Sequence, residues 1–112
     1  MSISFKGFNE QVITFKVQGD VEVGTLVKMC ESETVEPCTN GDNFIGIAVS
    51  VNGDIAAVQT GGYIGLPYSG AAPSLGSASI SAANATQIKD GGDMTVKVIK
   101  LDEANSTAGI LL

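Results

Sequence analysis

The chain has 112 residues, 44% of them hydrophobic, which is enough for one core and leaves no room for a second domain. It carries 12 acidic and 6 basic residues, a formal net charge of −6; every basic residue is a lysine, and histidine, arginine and tryptophan are absent. The usual general base, the usual metal ligand and the usual phosphate fork are therefore missing, and aromatics at 5% offer few stacking platforms. Acid–base catalysis, metal or cofactor binding and a nucleic-acid partner are all disfavoured.

The opening residues, Met1-Ser2-Ile3-Ser4-Phe5-Lys6, do not read as a signal peptide, because Gly7, Asn9, Glu10 and Gln11 interrupt any apolar run. No apolar stretch approaches the roughly 20 residues needed to span a bilayer. The expectation is a protein made and kept in the cytosol unless it leaves inside a larger particle, with no membrane partner. Residues 1–10 are too short and polar for a core strand. They read as an N-terminal arm, with Phe5 and Phe8, beside Ser4 and Lys6, as contacts for a partner. The alternative is that both phenylalanines cover one end of the core.

From residue 11 onward the pattern is β. Residues 11–17 (QVITFKV) are rich in β-branched and aromatic side chains and stop at Gln18-Gly19-Asp20. Residues 25–30 (TLVKMC) form a second candidate strand. Residues 44–51 (FIGIAVSV) nearly alternate, which places Ile45, Ile47, Val49 and Val51 on one face. Asn52-Gly53 then predicts a type I′ hairpin, with residues 55–60 returning. Gly61-Gly62 breaks or bulges this strand, residues 63–66 continue it, and Pro67 ends it.

Residues 69–85 are small and polar, with one weak strand at 75–80. Asp90-Gly91-Gly92-Asp93 is a turn, residues 94–101 (MTVKVIKL) alternate with Lys97 and Lys100 outward, and residues 107–112 close the chain. This gives an all-β fold: a small sandwich or barrel of about eight short strands, in a single domain over residues 11–112. Residues 21–60 set beside residues 73–112 match at an offset of about 51 to 53 residues. Either two β segments resemble each other by chance, or the fold holds an internal repeat with pseudo-two-fold symmetry, closed by the N-terminal strand.

Candidate chemistry is thin. Glu31, Glu33 and Glu36 lack the spacing of a calcium loop and read as a solvated hairpin tip. Asp42 and Asp93 stand beside turn glycines, where a carboxylate usually bonds its own backbone. Gly61-Gly62 and Gly91-Gly92 lack a phosphate-loop pattern. Cys30 and Cys38 are either two free thiols or a cross-strand disulfide, according to whether their Cα atoms come within about 7 Å. Tyr63, Pro67 and Tyr68 lead into the Gly/Ala/Ser loop and read as a second contact patch.

The order Gly19-Asp20-Val21-Glu22-Val23-Gly24-Thr25-Leu26-Val27, then Phe44-Ile45-Gly46-Ile47-Ala48, then Val58-Gln59-Thr60-Gly61-Gly62-Tyr63-Ile64-Gly65-Leu66-Pro67, and a second start at Leu75-Gly76, resembles the head-decoration (capsid cement) proteins of tailed bacteriophages. The likeness covers residues 11–112 and departs after Gly76, where this chain is unusually rich in serine and alanine. It implies a β module that binds the outside of a phage head and stabilises the shell without catalysis. It further implies the major capsid protein as partner, a homotrimer on the capsid, an arm reaching onto neighbouring coat subunits, and a place on the virion exterior after synthesis in the host cytoplasm. Two rivals stand beside it. A tail-tube or baseplate component would use residues 68–85 as a long inter-strand loop; an enzyme or ligand-binding barrel would show a deep polar pocket or carboxylates with raised pKa.

Overall fold

The computed structural model describes residues 11–112. Its described residues form ten strands and no helix, in two five-stranded sheets, one of them a closed barrel. The barrel holds β1 (Gln11–Val17), β2 (Leu26–Glu31), β3 (Thr34–Pro37), β4 (Gly46–Asn52) and β5 (Ile55–Gly61). The second sheet holds β6 (Tyr63–Pro67), β7 (Gly76–Ala82), β8 (Ile88–Asp90), β9 (Met94–Asp102) and β10 (Thr107–Leu111). The all-β expectation holds, with two more strands than expected. β3 and β8, of 4 and 3 residues, are too short to carry a period of their own.

The two sheets share one topology. The barrel runs β3-β2-β4-β5-β1 and the second sheet runs β8-β7-β9-β10-β6, so each strand takes the place of the strand five earlier in the chain. Registers agree among β1, β2, β4 and β5 and their counterparts, whereas β8 pairs with β7 two residues out of step with β3 on β2. Leu26 faces Ile47 and Ile47 faces Gln59; Ser77 faces Lys97 and Lys97 faces Leu111. Phe15 opposite Ala56 becomes Leu66 opposite Ala108. A β-bulge skips Val49 in the first half and Ile99 in the second, each next to a buried pair, Ala48 with Val58 and Val98 with Ile110. The repeat is therefore larger than the sequence comparison suggests. The N-terminal strand does not stand outside it, because β1 has its own counterpart in β6.

Closure differs between the halves. In the first, β1 and β3 run parallel through Lys16 with Thr34 and Val17 with Val35, and the Gln18 N–H donates to Val35 O at 2.9 Å. In the second, a single parallel bridge joins Tyr68 to Ile88, and the Ser69 N–H donates to Ile88 O at 2.8 Å. The second sheet is thus drawn together at one end and open elsewhere.

Two cores result. The barrel interior is filled by Val21, Val27, Val35, Ala48, Ala56 and Val58, with Phe15, Val17, Ile45 and Val51 around them. The larger core lines the second sheet, among others Leu66, Ile80, Ile88, Val98 and Ile110, and is capped by Leu26, Cys38, Phe44 and Ile47 from the first half. Alternation in β4 fails for this reason. Ile47 points to the seam between halves and Ala48 into the barrel, so both are buried, and the bulge then turns Val49 outward. The β4–β5 turn also differs from the type I′ expectation. Asn52 pairs with Ile55, so Gly53 and Asp54 are the central residues, and of the two only the glycine has positive φ.

 The Gly53 φ is 61°, and Asp54 stays outside the left-handed region, which is the type II′ arrangement rather than type I′.

Gly46 shows how tightly β4 is held. A Cβ there would lie 2.8 Å from Val58 Cγ1 and 2.9 Å from the Gln59 carbonyl carbon, whereas a Cβ on Gly65 meets nothing within 4 Å. Gly46→Ala is expected to cost about 1–3 kcal/mol by overpacking. Gly65→Ala should stay within about 0.5 kcal/mol of the parent, as surface changes usually do. Urea unfolding of both variants checks the contrast.

Candidate functional site

The expected arm, with Ser4, Phe5, Lys6 and Phe8, lies outside the described residues. The described chain starts at Gln11, which pairs with Gly61 at the β5–β6 joint. The second expected patch divides. Tyr63 is half-buried on β6, where its ring lies over Gly109; a Cβ on that glycine would meet the ring at 2.7 Å. Pro67 is half-buried at the end of β6. Tyr68 is 6% exposed and belongs to the larger core, so its side chain is a packing group and not a contact for a partner. Its place in the repeat explains this, since it is the counterpart of Val17 at the closing bridge.

The polar candidates also resolve. Asp42 Oδ2 accepts from Thr39 N at 2.8 Å, Thr39 Oγ1 at 2.9 Å and Lys28 Nζ at 2.7 Å. These bonds, the lysine contact first, hold the Asp42 carboxyl down to about 2. Glu36 joins the cluster at 3.7 Å from the same ammonium. The Asp42 loop in turn docks on the second half: the Gly41 N–H donates to Ala82 O at 2.8 Å, and the Ala82 N–H donates to Asp42 O at 2.9 Å. Asp42 therefore organises the seam between halves. Asp93 sits separately, exposed in the turn before β9. Glu31 and Glu33 are exposed at the β2–β3 tip, as expected of a solvated hairpin end. Among the described residues no three of the metal-ligating types converge.

Cys30 and Cys38 are both free. Cys38 bonds through its N–H to Leu26 O, four residues along β2 from Cys30, which separates the two by roughly 13 Å of strand. Cys38 is buried in the larger core, and that burial pushes its thiol up to about 11. Cys30 is half-buried, with its Sγ 3.6 Å from Thr34 O.

An apolar groove of about 660 Å³ lies on the outer face of the second half. Ser77, Val96, Lys97, Ile99, Leu111 and Leu112 line it. Sequence reasoning missed this groove because its lining comes from strands far apart in the chain. One local sign was readable: Val98-Ile99 breaks the alternation of residues 94–101, which is what a bulge that turns Ile99 outward produces. Shape and lining describe a surface for apolar contact, with one cation at its edge. The carboxylates that shift, Asp42 and Asp102, both shift downward, the latter through hydrogen bonds from Asn105. Comparison with protein-family models, with curated proteins and with solved structures gives no match to this chain.

Two solution outcomes follow. Because the folded Asp42 pKa is depressed, its contribution to stability is complete above the ordinary value of 3.8 and is lost as pH falls through about 2. Asp42→Asn should lower the melting temperature at pH 7, and the gap to the parent should close over that interval. In a thiol assay on native protein, Cys30 should react first and Cys38 only on unfolding. Equal rates at both positions would contradict the buried placement of Cys38.

Proposed function

We propose that this chain is a capsid decoration protein of a tailed bacteriophage, which binds the outer surface of the head and stabilises the shell without catalysing a reaction. The observation that carries this reading is the order of glycine-bearing apolar segments that resembles the head-decoration proteins. Those segments correspond to the architecture in a physical way. Gly46 permits the close approach of β4 to β5, and Gly61-Gly62 forms the joint where β5 passes into β6. An open apolar groove and exposed apolar side chains on the barrel, Val12, Ile13 and Ile55, add surface suited to protein contact.

In this reading the partner is the major capsid protein, the decorating unit is a homotrimer, and residues 1–10 reach onto neighbouring coat subunits through Phe5 and Phe8. Each contact can be weak, because simultaneous engagement of several subunits multiplies the affinity. The net charge of −6 keeps such an outer coat from adhering to nucleic acid.

The test is co-sedimentation of the full chain with expanded shells that lack their native decoration, with residues 1–10 present and deleted. Saturable binding is expected, weakened by about tenfold or more on deletion if the phenylalanines are anchors. Absence of binding by the full chain would overturn the decoration role.

A further inference from the structure

The groove on the second half opens beside the point where the described chain begins. β1 runs antiparallel to β5, and Gln11 is opposite Gly61. A chain entering β1 therefore arrives from the side toward which β5 runs on to Gly62. Gly62 is part of the groove wall, together with Leu111 and Leu112, and the Leu112 N–H donates to Gly62 O at 3.0 Å. The entry to β1, the joint between the halves and the end of β10 thus meet at one rim of the groove. The described residues leave the groove open, and Ile99 within it is 37% exposed. On the first half the equivalent face, at Leu26 and Ile47, is buried against other parts of the same chain.

Ten residues of the sequence precede Gln11. Met1-Ser2-Ile3-Ser4-Phe5-Lys6 alternates apolar and polar side chains over its whole length, the pattern of a strand with one apolar face. Gly7 and Asn9 follow, residue types that let a chain change direction.

We propose that in the free protein residues 1–6 lie in this groove, with Ile3 and Phe5 against Ile99 and Leu111, and that residues 7–10 carry the chain from the groove to β1. The lengths agree. The groove crosses β10, β9 and β7, three neighbouring strands that together span roughly 10 Å. Four linking residues reach about 13 Å and six docked residues about 20 Å at a strand's rise. The tether also favours this occupant over a separate molecule. A short linker holds the segment at an effective concentration on the order of millimolar, so a contact too weak for a free peptide is filled by the attached one. Ser2, Ser4 and Lys6 then face water. The proposal concerns the free protein and needs no phage shell, so it stands or falls separately from the function above. If both hold, Phe5 must leave the groove to reach a coat subunit, and groove and coat compete for the same side chain.

The experiment measures tryptic cleavage after Lys6 in the full chain, in Ile99→Asp within the groove, and in Ile13→Asp on the exposed barrel surface, with circular dichroism and melting to show that each variant folds. Cleavage follows the population of the undocked segment when redocking outpaces the protease. Ile99→Asp should therefore be cut about tenfold or more faster than the parent. Ile13→Asp should match the parent, and the parent's rate should not depend on protein concentration. Equal rates in Ile99→Asp and the parent would overturn the proposal. So would an acceleration in Ile13→Asp as large as in Ile99→Asp, which would place the segment on the barrel. A benzophenone side chain at position 5, in a mixture of ordinary and nitrogen-15-labelled protein, gives a second readout. Crosslinks to the groove within one isotope are expected. Crosslinks between isotopes, or to the barrel wall, would overturn the proposal in favour of a second copy or a different site.

Discussion

A five-stranded barrel filled largely by valine and alanine has a thin interior, and this chain depends on the seam where that barrel meets the second sheet. Leu26, Phe44 and Ile47 project from the outside of the barrel into the larger core, and Cys38 accompanies them. Fully burying each large side chain of this kind is worth about 1.5–3 kcal/mol, so the seam contributes on the scale of a small domain's whole stability. The backbone is matched to it. Gly41, Asp42 and Ala82 exchange hydrogen bonds across the seam, and Lys89 Nζ reaches Asn40 Oδ1 at 2.7 Å. Removing the second sheet would leave an apolar barrel wall in water, and removing the barrel would leave the second sheet without its cap.

That dependence explains why the sequence was legible in some places and misleading in others. Strands with one buried face, such as residues 94–98, alternate as a simple pleat demands. β4 is covered on both sides at its start, so Gly46, Ile47 and Ala48 are all buried in succession, and the single-face reading of Ile45, Ile47, Val49 and Val51 fails. The repeat was visible as a faint correspondence from residue 21 onward. Its first strand escaped notice because β6 follows β5 with only Gly62 between them, so residues 55–66 read as one interrupted strand. The groove was less legible still. Its identity lies in which residue of one strand faces which residue of another, and no local period records that.

The polar groups near the seam act on the same element. Lys28 is the counterion for both Asp42 and Glu36, and Asp42 also closes the turn at Thr39. An exposed ion pair alone would contribute little. Here the carboxylate additionally satisfies a backbone N–H and a hydroxyl, which fixes the loop whose peptide groups pair with Ala82. The same residue types that could have suggested a catalytic or metal-binding cluster are thus engaged in holding two halves together. The buried Gln59 has a parallel role, since its amide donates to the carbonyls on either side of Gly62 at the joint.

The two halves share a register but differ at equivalent positions in a directed way. Inside each half the equivalents remain apolar: Val58 with Ile110, Ala48 with Val98, Val35 with Ile88. On the outer face the first half has Leu26 and Ile47 where the second has Ser77 and Lys97. A face buried permanently within one chain can be wholly apolar. A face left open to solvent cannot, and the serine and lysine on it lower its tendency to associate unspecifically. Ile99, Leu111 and Leu112 nevertheless stay beside them. Complete conversion to a polar surface would have replaced these leucines and this isoleucine too. Their retention beside that serine and lysine gives the second half an apolar groove where the first half has a buried seam.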